Sequence, residues 1–422
     1  MGKKLKEFAT EKDNCQANWE QLTQRYGNLA NKPGDIRTPF ARDYTRILHS
    51  MAYRRLKHKT QVFFNIDNDH ICTRMEHIAH VESVSYTISN YLGLNTELTK
   101  AIAIGHDLGH APFGHHGETV LTKLIKKYLP NNSTQKFWHE RNGLRFVDKV
   151  ELLQNSQNKY NNLCLTYAVR DGIISHCGEK DIKCLRPRTA FIDLEKEFIK
   201  PSEYEPITWE GCVVKIADKI SYVGRDIEDA INLGFIDDKA KRKLVSLARK
   251  CDKDAINTTV IIHNLILDVC ESSSYEKGIC LSDQGFENLT KIKQFNENII
   301  YKNKRLLSFK RYAELVINEL FKALLATYKS QDTFTNIDLM KNRCPKLMDA
   351  FSKWLAQYVD SSIIDANIYG KLLEVSASCL NEKIYGNLEN KENYIQAIID
   401  FIAGMTDRFA VEMFNDLISY KN

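Results

Sequence analysis

Four histidines, an aspartate and a glutamate crowd one short stretch, His106-Asp107-Leu108-Gly109-His110-Ala111-Pro112-Phe113-Gly114-His115-His116-Gly117-Glu118. An adjacent His-Asp pair closing an apolar helix can offer an imidazole and a carboxylate to one cation. The loop after it then holds further acid and base groups. The chemistry in outline is metal-dependent hydrolysis. Two side chains alone do not hold a metal firmly, so the remaining ligands must come from elsewhere in the chain.

Upstream, His77 shares one helical face with Val81, Val84 and Ile88 and points toward the body that buries the His-Asp helix. A lone histidine there would ordinarily be a satisfied core residue; the company of His106 and Asp107 makes it a candidate ligand. Downstream, Asp218, Tyr222 and Asp226 recur on one face, with Asp229 close behind. Ile216, Ile220, Val223 and Ile227 supply apolar contacts, and Lys219 and Arg225 are expected on the opposite face. A solvated outer surface is the plain alternative for such a run of charge. With Asp218 as fourth ligand, two imidazoles and two carboxylates suit Mn²⁺, Fe²⁺, Mg²⁺ or Zn²⁺ and leave positions open. Arg74 and Lys219 flank proposed ligands and could meet phosphate oxygens. His115 with Glu118 fits a base and its orienter, and His139 is a second candidate for proton traffic. Eight of the twelve histidines lie between His70 and His139, a clustering unusual for core residues.

The elements that must position these groups are helical. Apolar residues recur at helical spacing nearly everywhere, prolines number eight, and clean alternation is scarce, so the chain is all-α. The spacing predicts one long helix over Arg37 to Lys57, with Leu48 and Met51 on its buried stripe. Gln61-Val62-Phe63-Phe64 reads as a short strand, and Asp67-Asn68-Asp69 as a turn. Helices follow from Thr73 to Leu92, stopped by Gly93, and from a cap at Asn95 or Thr96 to the His-Asp pair. After a loop, helix resumes over Thr119 to Leu129, breaks at Asn131-Asn132-Ser133, and runs again from Phe137 to Leu153. Leu185 to Trp209 holds three prolines and is the longest excursion from the helical body. Gly211 to Leu233 is a strong helix, and the remainder is helical with interruptions at Ser272 to Ser282 and Asn381 to Asn393. The basic run Lys239 to Lys243, with Arg249 and Lys250, reads as a solvated face. His176 reads as a structural helix-end residue, and His110 and His116 as loop histidines that cap or solvate.

Composition sets the outer bounds. The 422 residues, 43% of them hydrophobic, can bury a large core. The formal charge of +5 is too small an excess to imply nucleic acid as the main partner. Eleven scattered cysteines without C-x-x-C favour reduced thiols and a cytoplasmic protein. The basic start lacks the apolar run of a secretory signal, and no stretch has the length of a membrane span.

Taken in order, His77, His106-Asp107 and Asp218 resemble the ligand set of the HD-domain phosphohydrolases. The surrounding sequence is similar to their deoxynucleoside triphosphate triphosphohydrolase branch, the bacterial dGTPases and the vertebrate SAM-and-HD-domain dNTPase. The likeness extends to Arg37-Thr38-Pro39-Phe40-Ala41-Arg42-Asp43-Tyr44, Tyr53-Arg54-Arg55-Leu56-Lys57 with Thr60-Gln61-Val62-Phe63, and Ala403-Gly404-Met405-Thr406-Asp407-Arg408. Arg74-Met75-Glu76-His77 and Lys219 are closer to the vertebrate-like variant. The resemblance implies an all-α HD-domain core with a C-terminal helical extension: an N-terminal segment 1–34, a catalytic core 35–235 and a helical region 236–422 packed on it. It implies release of a deoxynucleoside and triphosphate by water attack at the α-phosphorus, with dGTP the first substrate to try. His77, His106, Asp107 and Asp218 would hold one divalent metal, with Mn²⁺ or Mg²⁺ favoured. His115 would be the catalytic acid/base beside Glu118, with His139 a further active-site histidine. Arg74 and Lys219 would hold phosphates, and Gln61, Tyr222 and Asp226 would contact the sugar. A nucleotide effector and a closed homo-oligomer are family habits, and single-stranded nucleic acid is a minor partner of some members. The competing readings are another HD phosphohydrolase, acting on a nucleoside monophosphate, cyclic nucleotide or alarmone, and a nucleotide-sensing or single-strand-binding protein with incidental turnover.

Overall fold

The computed structural model describes residues 4–29, 34–63, 70–131, 136–176, 182–251 and 258–419. It is all-α apart from two two-stranded ladders, Leu152–Gln154 with Tyr160–Asn162 and Cys184–Leu185 with Ile279–Cys280. No described helix is long and apolar enough to cross a membrane.

Three helices carry the expected ligands, and local chemistry sets their ends. In Arg74–Leu92, Thr73 and Glu76 form a reciprocal capping box, and Gly93 closes the helix at φ 84°, a conformation that glycine adopts without a Cβ penalty. Asn95 caps Thr96–Gly105 through the Glu97 and Leu98 amides. Thr208 caps Trp209–Asn232 through the Gly211 amide. The first of these is a wedge between two apolar cores. Ile78 and Val81 pack with Leu98, Ile102 and Val169, while Val84, Ile88 and Leu92 pack with Val213, Ile216 and Ile220. A third core joins Val120, Leu121 and Leu124 of the helix Gly114–Tyr128 to Val316, Leu320, Phe351 and Ile398 of the C-terminal half.

Several boundaries differ from the expected ones. The single helix over Arg37 to Lys57 is broken: Pro39–His49 ends where Ser50 turns extended, and the Ser50 hydroxyl caps Met51–Arg55. The break swings Leu48 and Met51 out of the core, leaving both exposed. The strand expected at Gln61 reduces to a single bridge between Thr60 and Thr73; Gln61 to Phe63 are irregular. Phe64 and the Asp67 turn lie outside the described residues, as do Asn132 and Ser133. Helix resumes at Gly114, five residues before Thr119, so His115 stands on its first turn and Glu118 just beyond it. The helix expected over Phe137 to Leu153 covers His139–Arg145, widens into a π-turn at Phe146–Val150, and gives way to strand where Leu152–Gln154 finds a partner. The Leu185 to Trp209 excursion is free of helix up to Thr208, and Lys239 to Lys243 is exposed apart from Ala240. The side chains of Arg249 and Lys250 lie outside the description. The expectation of reduced thiols fails at one pair: Cys184 and Cys280, 96 residues apart, face each other across the second ladder and form a disulfide. The seven other described cysteines are free.

Candidate active site

The two chain-distant ligand candidates meet the His-Asp pair at one place. His77 Nε2 lies 3.0 Å from Asp218 Oδ1 and 4.0 Å from Asp107 Oδ2. His106 Nε2 lies 3.5 Å from Asp107 Oδ1 and 3.8 Å from Asp218 Oδ1. All but Asp218 are buried, and its side chain is only partly exposed. His106 closes its helix by placing Nδ1 2.6 Å from the Ala103 carbonyl oxygen. A carbonyl only accepts, so the proton sits on Nδ1 and Nε2 presents its lone pair inward. That atom is buried without a hydrogen-bond partner. His77, His106 and Asp107 bring ligand atoms within 4.8 Å of one another, and His106 does the same with Asp218 and His176; two imidazole nitrogens and two carboxylates around an orphaned lone pair suit one divalent cation. Burial lifts the Asp107 carboxyl, but His110, His106 and Arg74 outweigh it and hold the group well below the usual carboxylate range. Asp218 is lowered in the same way by His77 and His106 against the pull of burial.

A second cluster adjoins the first. His110 touches both, with Nε2 3.0 Å from Asp107 Oδ1 and Nδ1 2.7 Å from Glu118 Oε1. Glu118 also approaches His139 Nδ1 at 3.2 Å and His115 Nδ1 at 3.6 Å. The rings of His110 and His139 stack with centroids 3.7 Å apart. Their surroundings nonetheless shift them in opposite directions. Burial and the nearby Arg74 push His110 down to about 3, whereas Glu140 and Glu118 overcome burial at His139 and raise it to about 9. Close backbone approach accompanies the stack: a Cβ on Gly109 would stand 2.0 Å from the His139 carbonyl oxygen and 2.1 Å from the Gly143 nitrogen.

Both clusters open into a cleft of about 720 Å³, within the range of small-molecule sites. The residues expected to meet phosphate or sugar all line it: Gln61, Arg74, Lys219, Tyr222 and Asp226. Lys219 thus shares the cleft with Asp218 and does not occupy the opposite face. Arg225 does turn away, bonding His80 and Glu228 in a separate cavity, and Asp229 accepts the Cys72 amide there. Arg74 donates from Nη1 to Asp107 Oδ2 at 2.8 Å, while its Nε and Nη2 are buried with no hydrogen-bond partner.

Several residues of the cleft were not singled out. Tyr301 donates its hydroxyl to Asp226 Oδ2, and Lys136, Lys293 and Lys310 add positive charge. Lys293, Tyr301 and Lys310 lie far in sequence from the histidine stretch, and Lys136, three residues before His139, carries no motif of its own. Glu140 is buried against His139. His110 and His116 both line the cleft. His176, read as structural, stands 4.9 Å from His106 by ring centroid. A signal for it existed: like His106, it ends an apolar helix.

The HD domain family matches residues 74–223, and the phosphohydrolase-associated domain matches residues 330–416. A deoxyguanosinetriphosphate triphosphohydrolase-like protein of Desulfatibacillum aliphaticivorans is 33% identical, covering 91% of this chain and 89% of the relative. Proteins of the same description from Caldanaerobacter subterraneus subsp. tengcongensis and Rickettsia felis are 31% and 33% identical. They cover 91% and 92% of this chain and 86% and 93% of their own lengths. The chain belongs to the deoxyguanosinetriphosphate triphosphohydrolase-like family of HD-domain phosphohydrolases.

Proposed function

We propose that the protein hydrolyses deoxynucleoside triphosphates to deoxynucleoside and inorganic triphosphate, with dGTP as the first substrate to test. The observation that carries this reading is Arg74. Two of its guanidinium nitrogens are buried without a partner beside the His-Asp cluster, while the third is fixed on Asp107. A buried, unsatisfied cation is costly, and a phosphate oxygen is the acceptor that relieves it. Lys219, Lys136, Lys293 and Lys310 line the same cleft, as a polyphosphate of several negative charges requires. The relatives' names point to the same substrate class.

In this reading His77, His106, Asp107 and Asp218 hold one divalent cation, Mn²⁺ or Mg²⁺ first among those to try. When bound, it supplies Lewis-acid polarisation of a phosphoryl oxygen. Arg74 and Lys219 bind phosphate oxygens. His115, three-quarters exposed at the cleft, gives a proton to the sugar oxygen as the deoxynucleoside leaves, and Glu118 orients it. The Asp226–Tyr301 pair, with Gln61 and Tyr222, contacts the sugar. Residues 35–235 serve as the catalytic core, and 236–422 pack on it through the core shared with the Gly114–Tyr128 helix. A nucleotide effector and a homo-oligomer belong to the same proposal.

The test is a product assay with Mn²⁺ or Mg²⁺, each dNTP and rNTP offered singly and in pairs. Deoxynucleoside plus intact triphosphate is the expected result, and a rate gained only in pairs would reveal an effector. Release of orthophosphate would move the attack to the γ-phosphorus, and release of pyrophosphate with a deoxynucleoside monophosphate would make pyrophosphate rather than the deoxynucleoside the leaving group; either result would overturn the triphosphohydrolase reading.

A further inference from the structure

His176 repeats the construction of His106 on a different helix. Each is the C-cap of an apolar helix, Thr96–Gly105 for His106 and Tyr167–Ser175 for His176. Each sets Nδ1 against the carbonyl oxygen three residues back, at 2.6 Å for Ala103 and 2.7 Å for Ile173. Since that oxygen can only accept, the proton of the His176 ring lies on Nδ1, and Nε2 of the neutral ring carries a lone pair. A purely structural cap would need nothing beyond the Nδ1 bond. Yet His176 is buried and also lines the active cleft.

Its neighbours show what the second nitrogen meets. A ring nitrogen of His176 lies within 4.8 Å of ligand atoms of His106 and Asp218, and in a second set within 4.8 Å of those of Asp107 and His139. His176 therefore stands at the junction of the two clusters, between the expected metal ligands and the residues that handle protons. One water can bridge polar atoms that stand beyond about 3.5 Å from one another.

We infer that His176 is a further active-site residue, whose Nε2 accepts a hydrogen bond from the attacking water and fixes its position between the Asp107–Asp218 carboxylates and His139. The inference rests on the proposed hydrolysis. It assigns no bond-making step to the imidazole; the ring holds the water in line and leaves the phosphoryl chemistry to the groups already described.

Two substitutions separate this role from a structural one. In His176→Asn the amide nitrogen can keep the bond to the Ile173 carbonyl but nothing reaches the Nε2 position. In His176→Gln the longer amide reaches that position. Full-length protein loaded with Mn²⁺ is assayed for dGTP turnover, for bound metal by elemental analysis, and for water-proton relaxation by the bound Mn²⁺. For His176→Asn, metal content near wild type, KM within about threefold and a kcat loss of at least about 100-fold are expected, with altered relaxation. His176→Gln should regain at least about tenfold of that loss. An Asn variant with kcat within about threefold of wild type overturns the inference. So does an Asn variant that loses its metal together with its activity, which would make His176 a ligand. A wild-type protein that binds Mn²⁺ but turns over no dNTP removes the hydrolytic reading and this inference with it. An active wild type beside an equally active Asn variant removes the inference alone.

Discussion

Asp407 holds the amide of Phe113 across 294 residues of chain: its Oδ1 accepts the Phe113 N–H at 2.8 Å. Its other oxygen accepts the amide and hydroxyl of Thr60 at 3.1 and 2.7 Å. Phe113 sits at φ 63°, left-handed backbone that a bulky residue seldom adopts without outside support. Beside it, buried Lys59 donates to the carbonyls of His110 and Ala403. The C-terminal Ala403 to Asp407 segment therefore clamps both the loop that leads into the His115 helix and the segment that carries Gln61.

Asp407→Ala should release that clamp. Three hydrogen bonds to one carboxylate are lost, one of them from the buried Phe113 amide and two from part-buried Thr60, a cost of about 2–4 kcal/mol in urea denaturation. The metal ligands lie outside the clamp, so metal content should hold while kcat falls. Unchanged kcat in a destabilised variant would show that the loop keeps its shape without Asp407.

Asp218 is the most accessible of the proposed ligands and the one brought from farthest along the chain. Asp218→Ala should fold but retain little metal after dialysis, because removing one of four donors opens half of the carboxylate set. Stoichiometric metal in that variant would place the fourth ligand elsewhere. Chelation of the wild type should likewise lower its melting temperature, since a ligand bound only by the native state stabilises it.

Lys59 makes a pH prediction whose sign is unusual for a lysine. Burial, reinforced by Arg55, pulls its pKa from the usual 10.5 down to about 7. Between about pH 7 and 10 the unfolded chain therefore binds a proton that the folded chain has shed, and stability rises with pH across that window. The gain is at most on the order of 4 kcal/mol, and below pH 7 it is absent. Lys59→Met removes this contribution, so the wild-type stability minus that of the variant should grow from pH 7 to pH 10. A difference that stays flat would mean that the buried ammonium keeps its charge.

What could be read in advance follows the range of the interaction. Caps at Thr73, Asn95 and Gly93 act within four residues, and the ligand set shows itself through residue type and helical face. The break at Ser50 carries neither proline nor glycine. The early start of the His115 helix depends on Phe113 holding a left-handed backbone, which Asp407 supports from the far end of the chain. The Cys184–Cys280 pair and the Tyr301–Asp226 bond are tertiary events with no local trace, whereas His176 left one by closing an apolar helix as His106 does. Lys219 was put on the wrong side because face periodicity counts one stripe, whereas the cleft spans a wider arc of the Trp209–Asn232 helix.

His115 and Glu118 divide the acid/base work in a way that two variants can separate. The His115 side chain is 74% exposed, so His115→Ala should cost little stability and leave the metal in place. As the proton donor its loss should lower kcat by about 100-fold or more; turnover within about tenfold of wild type would remove it from that role. Glu118 is buried, and burial alone would raise its carboxyl, but His139, His110 and His115 together hold it well below the usual range. Glu118→Gln keeps the shape and removes the charge that three imidazoles share. Both stability and kcat should therefore fall, and the imidazole of His139, deprived of one of its two carboxylates, should titrate lower in an NMR pH series. An unchanged His139 titration would assign its high value to Glu140 alone and leave Glu118 as the orienter of His115.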